Sequence, residues 1–283
     1  MATPAPKGFS HFVLLLVIII LGVVGFGGWR AYSSKSNDNK KGSSYQIKTS
    51  ASDAKLAKIT WTDEGGSWQP SGTPPNCPDP LVKFPVDLSL ATSILYPGQY
   101  RGGDYKPHGG FRFDNNANND LTVTAPMDAD VIRGARYPVN GETQYVFDFI
   151  AACGYMYRFG HMLSLSPKLQ AIADKLPQNR EGDSRDTRIN PPLSFKAGET
   201  LATAVGIVKG DRNTINVFVD WGMYDLRSKN EASKNADWAA KHPSNTEQYA
   251  VCWFDLLGAD EEAKVRALPS SDSQSGKTSD YCK

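Results

Sequence analysis

Two histidines that stand beside glycines are the residues of this 283-residue chain best suited to chemistry. His108 precedes a Gly-Gly pair in the segment YKPHGGFRFD, and His161 follows Gly160 in the segment YRFGHMLS. A neutral imidazole binds metal ions and exchanges protons near neutral pH. A catalytic zinc ion takes three protein ligands and keeps a fourth position for water. These residues therefore predict a metal site or a polar groove that other parts of the chain complete.

Three further segments accompany the two histidines: APMDADVIR at 125–133, FKAGETLATAVG at 195–206 and NVFVD at 216–220. With them, residues 96–221 resemble the M23 metallopeptidases, the LytM/lysostaphin-like enzymes that cleave peptide cross-links in bacterial cell walls. Members of that family read approximately H-x-G-x-D, A-P-x-x-G-x-V, Y-x-H-L, V-x-x-G-x-x-I-x-x-x-G and H-x-H-F-E. The resemblance implies a mainly β fold, an antiparallel sandwich or barrel-like domain of the M23 type with one or two short helices.

In active members of that family, two histidines and an aspartate bind zinc, and a further histidine stabilises the oxyanion or the metal-bound water. His108 matches the first ligand, and His161 matches the further histidine, which is the one catalytic role the resemblance assigns. Arg112 stands where the ligand aspartate is expected, and a guanidinium cannot bind zinc. The resemblance thus leaves His108 as the one family zinc ligand, and we expect no intact zinc site and no other cofactor.

The H-x-H pair falls on Asn216 and Phe218 if Val219 and Asp220 match the Phe-Glu that follows it. Phe218 has no donor atom for a metal. The residues expected to line the former substrate groove are His108, Arg112, His161 and Asn216.

Each of these residues also has a simpler explanation. His108 could bond backbone in a glycine turn, and His161 could be a hydrogen-bonded residue without a catalytic role. Arg112 could supply a fixed positive charge suited to the carboxylates of cell-wall peptides. A rebuilt zinc site would have to recruit Asp114, Asp220 or His242.

Four cysteines, an even number without a CxxC pair, permit two disulfides in an oxidising compartment. They are Cys77, Cys153, Cys252 and Cys282. Buried reduced thiols are the alternative. Cys282 lies near the end of a polar tail, and a bond to Cys252 is the most plausible reason for its presence.

An uncharged run at residues 12–29, FVLLLVIIILGVVGFGGW, is long enough to cross a bilayer as a helix. A cleaved signal peptide would have a shorter apolar region followed by a small-x-small site, whereas Trp29 and Arg30 occupy that position. The predicted organisation is a short polar N-terminus (1–11), a transmembrane anchor (12–29), a flexible linker (30–58) and one domain with a C-terminal extension (59–283).

Features of the sequence favour opposite orientations of the anchor. The basic residues after the span outnumber Lys7 before it, which by the positive-inside rule would leave the domain in the cytoplasm. A short N-terminus, the paired number of cysteines and the family resemblance favour export. We therefore predict a single-pass protein of the cytoplasmic membrane with an extracytoplasmic domain.

Period-two alternation predicts strands, and the spacing of apolar residues predicts two helices. The strands are expected at 121–125, 130–136, 144–150, 153–159, 200–205 and 214–220, and the helices at 167–176 and 259–268.

The function that these observations favour is a membrane-anchored, non-catalytic M23-like domain of the bacterial cell envelope. Its expected partners are the lipid bilayer and either peptidoglycan or a cell-wall hydrolase. The alternatives are a divergent zinc endopeptidase that cleaves peptidoglycan cross-links, and a structural protein of an envelope assembly. The net charge of +1 argues against a nucleic-acid partner.

Overall fold

The computed structural model describes residues 58–209 and 215–283. The predicted N-terminus, anchor and all but the last residue of the predicted linker lie outside them. Within the described residues, no helix is both long enough and apolar enough to cross a membrane.

The described chain is mainly β, as the alternating patterns predicted. Its strands are β1 (Trp61–Glu64), β2 (Ser67–Pro70), β3 (Ser93–Leu95), β4 (Gln99–Arg101), β5 (Asp104–Lys106), β6 (Gly109–Arg112), β7 (Asp120–Thr124), β8 (Ala129–Val139), β9 (Glu142–Ile150), β10 (Tyr155–Leu165), β11 (Thr187–Phe195), β12 (Thr200–Val205) and β13 (Phe218–Asp225). Its α-helices are α1 (Pro167–Ala173), α2 (Ala236–Lys241), α3 (Asn245–Tyr249) and α4 (Ala259–Ala267).

Nine of the described strands form one antiparallel sheet in the order β11-β8-β9-β10-β13-β6-β3, with β12 pairing both β10 and β7. The strands β1 and β2 form one separate hairpin, and β4 and β5 form another. Most neighbouring strands of this sheet are therefore distant from one another in the sequence. This topology brings β10, β13 and β6 side by side.

Alternation along the central strands separates a core face from an outer face. Phe147 and Phe149 on β9 and Phe159 on β10 are fully or almost fully buried in the aromatic core. The residues between them, Asp148 on β9 and Arg158 on β10, point the other way, because successive side chains of a strand alternate. We call this second side of the sheet the outer face, and it carries the polar residues discussed below.

Both predicted helices are present, at slightly different bounds. Helix α1 begins after Ser166, whose side chain accepts from the backbone of Leu169, and has proline at its first position. The strand expected at 214–220 begins instead at Phe218 and continues to Asp225. The short helices α2 and α3 were not anticipated.

Two disulfides hold the ends of the described chain against the sheet. Cys252 pairs with Cys282, with 4.9 Å between their Cα atoms, which confirms the pairing expected from sequence. Cys77 pairs with Cys153. The C-terminal tail also contacts the segment before β4, through a backbone hydrogen bond from Asp280 to the carbonyl of Gly98.

Candidate functional site

Strands β10, β13 and β6 bring both histidines to one part of the outer face. Asp220 on β13 is the direct partner of Gly160 on β10 and of Gly110 on β6. Phe218 is the partner of Arg112 in the same register. We call the set His108, Arg112, His161, Phe218 and Asp220 the histidine cluster.

His108 precedes β6, and its imidazole lies against Asp220. The distance from Nε2 to Oδ1 is 3.1 Å, and the two side chains are 26% and 18% exposed. Burial lowers the pKa of His108 to about 4, and Arg101 adds to this effect while Asp220 opposes it. The imidazole is therefore neutral at neutral pH. Arg101 also donates from Nη2 to the backbone oxygen of His108 at 2.9 Å, which holds this segment in place.

A β-bulge places His161 beside this pair. The register of β10 against β9 shifts between Phe159 and Met162, and His161 adopts a φ of 52°, a left-handed conformation unusual for a residue other than glycine. Its ring lies 5.0 Å from the ring of Phe218, centroid to centroid. Backbone strain of this kind is often found where a fold positions a functional side chain.

The buried side chain of Gln144 determines which nitrogen of His161 carries the proton. Its amide nitrogen donates to the carboxylate of Glu142 at 2.8 Å and to the carbonyl of Gly206 at 3.1 Å. Its oxygen is therefore the atom that meets Nδ1 of His161 at 2.5 Å, and that nitrogen must be the donor. Burial lowers the pKa of His161, so the ring is neutral and Nε2 keeps a free lone pair.

Two glycines permit the close approach of the three strands. A Cβ on Gly160 would collide with the carboxylate of Asp220. A Cβ on Gly110, which has a φ of 145°, would collide with the backbone oxygen of Val219. Gly110, the second glycine after His108, is thus required for the packing of β6 against β13.

Arg112 points along the same face but already has a partner. Its guanidinium lies 2.8 Å from Asp114 Oδ1 through Nη2 and donates to the same oxygen from Nε at 3.0 Å. Burial alone would raise the pKa of Asp114, but hydrogen bonds from Arg112 and Thr92 hold it below its ordinary value. The positive charge of Arg112 is consequently shared with a neighbouring carboxylate.

Asn216, expected in the groove, lies before β13 and exchanges two backbone hydrogen bonds with Ile207. Its side-chain oxygen is buried without a hydrogen-bond partner among the described residues. The residue that approaches His108 is Asp220, four positions later. The sequence analysis did not identify Gln144. The one indication of its role was the position of a polar glutamine next to the apolar residues of β9.

The donors do not fit a three-ligand zinc site. His108, Asp220 and His161 are the metal-capable side chains of the cluster, but Nδ1 of His161 is bonded to Gln144, and Arg112 is bonded to Asp114. His242 packs instead against Tyr105 and Trp238, with ring centroids 4.0 and 4.4 Å away. Across residues 58–209 and 215–283, no three His, Cys, Asp or Glu side chains are grouped so that they could hold a metal ion.

Comparisons with known proteins returned no match, whether against protein-family models, curated proteins or solved structures. The case for a function therefore rests on the chemistry of the cluster and on the motif resemblance.

Proposed function

We propose that this chain is a membrane-anchored, non-catalytic M23-like domain that binds cell-wall peptide in the bacterial envelope. The single observation that carries this proposal is that His108, just before β6, lies beside Asp220 on β13 and near His161 on β10, with Arg112 at the expected place of the missing ligand. The segments that contain His108, His161 and Asp220 thus lie side by side. A binding role agrees with a site in which Arg112, whose guanidinium cannot bind zinc, stands where a ligand aspartate is expected.

The cluster offers groups that suit a peptide. The free Nε2 of His161 accepts a hydrogen bond from an amide N–H. Phe218 offers an apolar ring beside it, and the guanidinium of Arg112 has further N–H groups for a ligand carboxylate. A peptide with free carboxylates, such as a peptidoglycan stem, matches this combination.

The proposed compartment is the outer side of the cytoplasmic membrane. Two disulfides support it, because such bonds persist in oxidising environments and are rare in the cytosol. Attachment through residues 12–29 would hold the domain near the wall. Regulation of a wall hydrolase is compatible with the same peptide-binding surface.

The test uses the full chain purified in detergent and incubated with insoluble peptidoglycan. We expect the protein to sediment with the polymer, to release no soluble fragments and to contain no stoichiometric zinc by elemental analysis. The double variant Arg112→Gln, Phe218→Ala should sediment several-fold less. Arg180→Gln, which removes an exposed arginine of the loop before β11, is the matched control and should sediment like the unaltered protein.

One observation favours a divergent zinc endopeptidase as a second candidate. His108 Nε2 and Asp220 Oδ1 are 3.1 Å apart, a separation that two ligands of one metal ion also show. One zinc per chain, lost in His108→Asn and accompanied by cleavage of the wall polymer, would establish this candidate and refute the binding role. Sedimentation no greater than that of an unrelated membrane protein would refute both.

A further inference from the structure

A row of directly paired residues crosses the outer face from β11 to β13. Arg188 on β11 is the partner of Arg133 on β8, which is also the partner of Asp148 on β9. Asp148 in turn pairs with Arg158 on β10, whose other partner is Gly222 on β13. The row therefore alternates in charge until its β11 end, where two arginines face each other.

Like charges in directly opposite positions of a sheet destabilise it. Arg158 is balanced, because its Nη1 lies 2.8 Å from Asp148 Oδ1 and 3.7 Å from Asp186 Oδ2. By contrast, no carboxylate of the described residues lies within ion-pair distance of Arg133 or Arg188. Asp148 lies opposite Arg133 and interacts with its charge, so the end of the row carries an excess of positive charge without an ion pair.

The same two arginines line one cavity of about 310 Å³ beneath the β1–β2 hairpin. We call it the arginine cavity. The ring of Trp68 lies beside it, with the guanidinium carbon of Arg133 5.6 Å from the ring centroid. Stacking on an aromatic face orients a guanidinium while leaving its edge N–H groups available.

Other groups around the arginine cavity are either neutral or already paired. Asp130 lines it, but its carboxylate is bonded to Lys58 and to Ser194. Thr60 and Asn190 add an uncharged hydroxyl and an amide. Ile150 belongs to its apolar wall.

We propose that the arginine cavity binds a phosphate group. Two guanidinium groups on facing strands present more N–H donors than the two oxygens of one carboxylate can accept, whereas a phosphate has three or more acceptor oxygens and up to two negative charges. Binding would also relieve the repulsion between the arginines. The apolar wall gives room for a group attached to the phosphate, so the ligand is a free phosphate ester or a lipid headgroup.

The site lies at the opposite end of the row from the histidine cluster, and this proposal does not depend on peptide binding. The probe is inorganic phosphate, added to the full chain in a maltoside detergent free of phospholipid, with chloride at equal ionic strength as the reference. We expect phosphate to raise the unfolding temperature in a saturable manner. Arg188→Gln should weaken the apparent affinity at least about tenfold, the effect of losing one charge-assisted interaction.

Arg188→Gln has a second, opposite signature that a merely damaged protein would not show. In chloride alone it should unfold at a higher temperature than the unaltered protein, because the repulsion across β8 and β11 is gone. Arg188→Lys keeps the charge without the fork and should bind phosphate with intermediate affinity. Arg180→Gln removes the same charge outside the cavity and should leave phosphate binding unchanged.

Two further ligands distinguish the source of the phosphate. Tighter binding of dihexanoyl phosphatidic acid than of glycerol 3-phosphate, lost in Arg188→Gln, identifies a lipid headgroup, whereas equal binding identifies a free phosphate ester. The proposal is overturned if phosphate stabilises no more than chloride. It is equally overturned if Arg180→Gln and Arg188→Gln lose the effect to the same extent.

Discussion

The two ends of the outer sheet face carry polar groups of opposite character. At the histidine cluster, His108 faces Asp220, His161 faces Gln144, and the imidazoles are neutral. At the arginine cavity, Arg133 and Arg188 face each other, and neither forms an ion pair with a carboxylate of the described residues. The polar groups of the histidine cluster are thus held by partners inside the protein, whereas the two arginines keep N–H groups that a ligand could bind.

The largest expected effect concerns the close packing on which the histidine cluster depends. Gly110→Ala would drive a Cβ into the backbone oxygen of Val219 at a φ of 145°. We expect a loss of at least about 3 kcal/mol in the free energy of unfolding, measured by urea denaturation. Gly258→Ala, where the added Cβ meets nothing closer than 3.9 Å, is the control and should change stability by less than about 1 kcal/mol. Equal stability of the two variants would contradict the packing argument.

A second difference between the sites is their response to acid. The pKa of His108 is lowered from 6.5 to about 4 in the folded protein, so the unfolded chain binds the proton more readily. The contribution of His108 to the free energy of unfolding is therefore fully present above pH 6.5 and is lost as the pH falls toward 4. A pKa shift of this size corresponds to roughly 3 kcal/mol. His108→Asn should flatten the decline between neutral and acidic pH in denaturation experiments. Arg188→Gln should leave that decline as it is, and a parallel flattening in both variants would argue against this assignment.

The role of Gln144 can be checked through the titration of His161. Gln144→Glu places a carboxylate against Nδ1, which favours the charged imidazole and should raise the pKa of His161 by about one unit or more, measured by NMR. Thr143→Glu adds the same charge on the exposed opposite side of β9 and should shift the titration less. Identical shifts would mean that Gln144 does not contact the ring in solution.

The smallest expected effect belongs to the arginine pair itself. Removing one member with Arg188→Gln should stabilise the protein in chloride by about 0.2–1 kcal/mol, the usual size of a cross-strand charge effect. Thermal denaturation of this variant beside Arg180→Gln checks the sign. A loss of stability would show that Arg188 already has a favourable partner and would remove the contrast between the two sites.

Local patterns were sufficient to predict much of the fold. Strand β9 and helix α1 carry clear periodicities, and the pairing of Cys252 with Cys282 followed from an isolated cysteine in a polar tail. Helices α2 and α3 escaped prediction because they have only six and five residues, too few to show a periodic apolar face. The start of β13 was placed too early, since the residues before Phe218 alternate in the same way as the strand itself.

The site was predicted in part, for a related reason. His108 and His161 were recognisable by their neighbours in the chain. Asp220 was named only as one of three residues that a rebuilt zinc site could recruit, because nothing in the sequence shows that it lies against His108. Gln144 belongs to no recognisable motif, and its contact with His161 depends on the bulge in β10 that changes the direction of the His161 side chain.

By itself, the sequence determined which residues alternate between core and surface, which segments contain the histidines, and that the cysteines are even in number. Only the tertiary structure decided that Asp220 lies against His108 and that Arg188 faces Arg133. The physical reason is that these contacts depend on strand register between segments distant in the chain. A shift of one residue would turn either side chain to the other face of the sheet.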